Sequence, residues 1–121
     1  MTGFDRMTRQ LVAAVRGQLA GDRRARPPEA GETLWAIYGE LAAARVYDPT
    51  GPCPIGWEEL RAWSQLHRWP LEPRHVQALR AMDQAWLDGV AARRAPAEGV
   101  KAAPHVSSAP ISPDLFDATF R

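Results

Sequence analysis

The sequence predicts an all-α fold: a small bundle of three core helices, an added N-terminal amphipathic helix and a flexible C-terminal tail. Three observations lead there. Apolar residues recur every three to four positions in four separate blocks. Eleven prolines and nine glycines divide those blocks from one another. Alternation of apolar and polar residues never persists long enough to mark a strand, and there is no internal repeat.

The first block predicts a helix over 5–20, closing an N-terminal unit of residues 1–21. Phe4, Met7, Leu11, Val15 and Leu19 form its stripe, and Arg6, Arg9 and Arg16 lie off it. Gly21 is its expected stop. Residues 22–31, DRRARPPEAG, read as a linker, because Pro27 and Pro28 donate no backbone hydrogen bond and hold the chain extended.

A helical core domain follows over 32–94. Its first helix is expected over 31–46, with Leu34, Ile37, Tyr38, Leu41 and Ala42 facing inward and Trp35 on the border. The loop YDPTGPCP comes next, where Pro49, Gly51, Pro52 and Pro54 exclude a helix. A short helix is expected over 56–68, with Trp57, Leu60, Trp63, Ser64 and Leu66 or His67 on its inner face. In this reading Ile55 and Trp57 staple the turn and Trp63 fills the centre. Glu58 and Glu59 sit in the first turn, where negative charge favours the helix dipole. Neighbouring residues on a helix point about 100° apart, so the two carboxylates do not converge as an acid–base pair.

The segment WPLEP, residues 69–73, breaks the chain again, and Pro73 suits the first position of a last helix. That helix is expected to reach residue 94, with Val76, Leu79, Met82, Trp86 and Val90 as its stripe and Leu87 widening it. Arg93 and Arg94 complement its dipole. Residues 95–121 are rich in proline and alanine, which predicts a flexible tail. Its last stretch, DLFDATF, differs: Leu115, Phe116 and Phe120 in an acidic setting can dock as a short helix in a partner's groove.

Composition narrows the function. The chain has 121 residues, a net charge of +1 and one cysteine. That balance gives no strong steering toward nucleic acid or anionic lipid. A single cysteine forms no internal bridge, which favours a reducing cytoplasm. No apolar run is long enough to span a membrane. His67, His75 and His105 have no partner at metal-site spacing. Cys53 lies in a proline-rich loop without an oxyanion arrangement. No phosphate-binding or dinucleotide fingerprint occurs. Asp83 reads as structural, paired with Arg80 or with a group on another helix. No cofactor, metal or catalytic residue is expected, and the protein is read as a non-enzyme.

Two helices joined by a short turn, 57–68 and 73–94, have the outline of a helix-turn-helix DNA reader. Arg74, His75, Gln77 and Arg80 would face the groove. Glu72, Asp83 and the acidic start of the preceding helix dilute the charge that phosphate binding needs.

The order of LWAIYGELAAAR, a Pro/Gly loop, PIGWEELRAW and ALRAMDQAWL resembles that of the small helical tail assembly chaperones of long-tailed bacteriophages. The matching residues are Leu34 and Trp35, Pro54, Ile55 and Trp57, Ala62 and Trp63, and 80–87. The resemblance implies a non-enzymatic escort of the tape-measure protein, with the tail tube protein as a second candidate partner, in the host bacterial cytoplasm. A homo-oligomer is compatible with it; nucleic acid and membrane partners are not implied. The N-terminal helix, the tail and Gly56 depart from the family pattern. The alternatives are a DNA-binding regulator and a virion adaptor protein.

Five tryptophans in so short a chain make a heavy load. Each buries about 150–250 Å² when covered, and three short helices cannot cover all five. Partner contact is therefore expected at Trp35, Tyr38, Ile55, Trp57, Trp69, Leu115, Phe116 and Phe120, with Trp35 and Trp69 the leading tryptophans.

Overall fold

A computed structural model describes residues 2–102, with side chains to Arg94. The chain divides into two units, Met1–Val90 and Ala91–Arg121, and the account below concerns the first. Its order is α1 (Gly3–Leu19), a 3-10 turn (Glu29–Gly31), α2 (Glu32–Ala43), a minimal hairpin β1 (Tyr47–Asp48) and β2 (Gly51–Pro52), α3 (Trp57–Leu66) and α4 (Pro73–Ala102).

α1 opens on a capping box. The Thr2 hydroxyl accepts from the Asp5 N–H at 3.1 Å, and Asp5 accepts from the Thr2 N–H at 3.2 Å. It closes at Gly21, where φ is +83° and the amides of Gly21 and Asp22 bond back to Gln18 and Gly17. The helix is not an appendage. Leu11 and Val15 are buried in the same core as α2, α3 and α4. Gly31 makes the approach possible, since a Cβ there would meet Leu11 Cδ2 at 2.9 Å.

The core joins Leu34, Ile37, Tyr38 and Leu41 of α2, Leu60 of α3, and Ala78, Leu79, Met82 and Ala85 of α4. The α2 face matches the sequence reading. On α4, Ala78 and Ala85 are buried where bulkier residues were expected to lead.

Several expected features take another form. α2 stops at Ala43 rather than 46, because Arg45 turns inward to a charge partner described below. The proline-rich loop is partly ordered as a hairpin, pairing Tyr47 with Pro52 and Asp48 with Gly51. Asp48 Oδ1 accepts from the Thr50 N–H at 2.8 Å and closes the turn. α3 buries only Leu60; Leu66 is 81% exposed and His67 is exposed. α4 passes residue 94 and reaches Ala102. The expected tail beyond residue 102 lies outside the described residues.

The α3–α4 turn uses Arg68 at φ +51°, a position that glycine fills at lower cost. The Ser64 hydroxyl anchors it, donating to the Trp69 carbonyl at 2.8 Å and accepting from the Leu71 N–H at 3.3 Å. His75 Nδ1 accepts from the Glu72 N–H at 3.0 Å and caps α4.

Candidate functional site

The stretch 54–63 sits between a buried charge centre and two surface grooves. The centre is Asp83, in the inward face of α4 with its side chain 5% exposed. Asp83 Oδ1 accepts from the Tyr38 hydroxyl at 3.0 Å and from Arg45 Nη2. Asp83 Oδ2 accepts from the backbone N–H of Ile55 at 2.9 Å. Arg45 Nη1 donates to the Cys53 carbonyl at 2.8 Å, and the guanidinium lies 4.2 Å from the Trp86 ring centre. One carboxylate thus ties the end of α2, the loop before α3 and the body of α4.

Every polar atom in this knot is matched, and no buried side-chain nitrogen or oxygen among the described residues lacks a partner. Burial and the adjacent Asp83 carboxylate push the Tyr38 phenol well above its ordinary value. Burial opposes the charge on Arg45, but the hydrogen bond and charge of Asp83 more than offset it, and its pKa is raised. With the phenol and the guanidinium both pushed upward, each keeps its proton near neutrality. The knot holds shape.

Pro54 and Ile55 form a ridge with a groove on each side. Toward α2 lies a pocket of about 230 Å³ walled by Leu41, Val46, Ala62 and Trp63, with Glu40 and Glu59 on its walls. Trp63 Nε1 donates to Glu40 Oε2 at 3.1 Å across its mouth. Toward α4 lies a shallower groove of about 420 Å³ reaching Trp57, Arg80 and Leu87. Trp57 is 62% exposed, and the Arg80 guanidinium lies over it, 4.1 Å from the ring centre.

The predicted contact residues divide accordingly. Ile55 and Trp57 meet at the ridge. Trp57 was expected to staple the turn from inside; it lies outside, because α3 turns Leu60 alone into the core. Trp63 was expected at the centre; it is half-buried at the α2 edge, held there by Glu40. Trp35 and Trp69 are half-buried against the core and line neither groove, although Trp69 packs edge-on against Trp63, ring centres 6.1 Å apart. Tyr38 is no surface contact: it is 7% exposed with its hydroxyl on Asp83. Leu115, Phe116 and Phe120 lie outside the described residues.

The sequence reading missed Arg45, Glu40 and Val46. Arg45 had one signal, a lone cation after the apolar run of α2, matched by a lone carboxylate inside the α4 stripe. Asp83 does pair with another element, and its partner is Arg45 rather than Arg80. The basic groups of the helix-turn-helix outline are engaged within the chain: Arg80 on Trp57, Arg74 with Glu72 at 3.6 Å and over Phe4. The Cys53 thiol donates to Asp48 at 3.4 Å; partial desolvation and that carboxylate raise its pKa, which disfavours a thiolate. Among the described residues, no cluster of metal-ligating side chains occurs, and no helix is long and apolar enough to cross a membrane.

No curated protein and no solved structure matches the chain. A family model described as phage tail assembly chaperone matches residues 12–88, from the middle of α1 to α4.

Proposed function

Because the chain belongs to the phage tail assembly chaperone family, we propose that it binds the tape-measure protein and escorts it while the tail is built. It does so in the host bacterial cytoplasm, by apolar and aromatic contact, with no chemistry performed on the partner. The observation that carries this reading is Trp57, an indole held in the open beside a ridge whose backbone is pinned from within. A pre-set aromatic anchor loses little freedom on binding and belongs to the residue types that dominate interface energies.

Co-expression with the tape-measure protein tests it. The expected result is a soluble complex, and Trp57→Ala is expected to weaken the complex by about 2 kcal/mol or more. A tape-measure protein that aggregates equally with and without the chain overturns the proposal. Mass spectrometry of purified virions addresses the adaptor alternative: an escort leaves the finished particle, an adaptor stays in it.

A further inference from the structure

We propose that the groove between α2 and α3 receives one apolar side chain of a partner helix whose flanking positions carry lysine or arginine. The inference rests on the reading of the chain as an escort and deepens it, naming the chemistry of the segment gripped.

Size sets the first constraint. Small-molecule sites usually enclose about 300–1,000 Å³; this groove encloses about 230 Å³. That space suits a single large side chain. Most of its lining is apolar, and Val46 at the mouth is 59% exposed, an aliphatic surface that nothing among the described residues covers. Two helices form the walls, the setting in which an amphipathic helix docks by its apolar anchors.

Charge sets the second constraint. Glu40 on α2 and Glu59 on α3 are both exposed and stand on opposite walls. Glu40 is held toward the mouth by the Trp63 indole. Among the described residues lining the groove, the one cation, Arg45, has its side chain 2% exposed and its guanidinium committed to Asp83 and Cys53. Among the described residues the mouth therefore presents only negative charge, although the chain as a whole carries +1. The groove across the ridge presents Arg80 instead. A partner that seats an apolar residue here places its neighbours one helical turn away beside the two carboxylates. Lysine or arginine serves both needs, with an apolar stem along the wall and a charged end at the rim.

Two amphipathic helical peptides test this on the full chain. They share an apolar face with a central leucine and carry lysine or glutamate at the positions three and four residues either side. Calorimetry is expected to show the lysine peptide binding at least tenfold more tightly, with the gap shrinking as salt rises. The Trp63 indole N–H resonance is expected to shift, with Trp63→Phe assigning it. The double variant Glu40→Lys/Glu59→Lys is expected to reverse the ranking; both positions are exposed, and circular dichroism checks that the fold is kept.

Equal affinities, an unchanged ranking in the double variant, or shifts confined to Trp57 overturn the proposal. So does a change in the chain's own mass by light scattering with the double variant, which would give the groove to a second copy. The tape-measure co-expression run in parallel separates the two ideas. A complex indifferent to the double variant overturns the basic-helix inference and leaves the escort role. Correct peptide ranking without any tape-measure complex upholds the groove chemistry and overturns the escort role.

Discussion

The two sides of the Ile55 backbone reverse the usual placement of polarity. Inside, an aspartate, an arginine and a tyrosine hydroxyl are hidden from water. Outside, at the two ends of the segment 46–57, Trp57 and Val46 face it. Each arrangement is costly alone. Buried charge loses hydration that only complete pairing restores, and exposed apolar surface forgoes the gain of burial. The difference teaches that the interior of this site supplies rigidity, while its apolar outer face is left uncovered by the described residues.

The largest expected effect comes from breaking the inside. Asp83→Ala leaves Arg45 buried without its counter-charge and is expected to cost about 3–5 kcal/mol, read as a lower urea midpoint. The paired change Arg45→Met/Asp83→Leu is expected to recover most of that loss, because no lone charge remains. Full loss in the pair would show that packing, not charge, dominates the knot.

Leu11→Ala is next, at about 2–5 kcal/mol by urea unfolding. A cost well under 1 kcal/mol would instead make α1 a dispensable addition. Tyr38→Phe removes one of three donors from Asp83 and is expected to cost about 0.5–1.5 kcal/mol. The smallest stability effect belongs to the outside: Trp57→Ala removes the contact with Arg80 from a largely exposed ring and is expected to cost about 0.5–1 kcal/mol. The comparison is sharpened if that same variant, nearly as stable as the parent, fails to hold the partner.

The helices were legible because periodicity reports which face is apolar. Leu34, Ile37, Tyr38 and Leu41 repeat at helical spacing, and α2 buries all four. Gly21 was legible as a stop because only a left-handed residue closes that end without strain. The end of α2 was not, since local pattern favours continuing through Arg45 and only a distant carboxylate turns it in. Exposure of individual tryptophans was not legible either. Trp35, Trp57, Trp63 and Trp69 are alike in type, and which one stays open depends on how α3 is rotated about its axis. That rotation is fixed by Leu60 and by the loop tethered to Asp83, neither of which a residue spacing records. The acidic mouth formed by Glu40 and Glu59 depended on the same docking of two helices.

The Asp83 bond to the Ile55 amide has a consequence for how the molecule breathes. Loop amides ordinarily trade their hydrogens with water quickly, because small openings expose them. This one is released only when α4 parts from the segment before α3. In heavy water the Ile55 N–H should therefore persist alongside the helix interiors, a slow clock set in a loop, timing how often that tether comes undone.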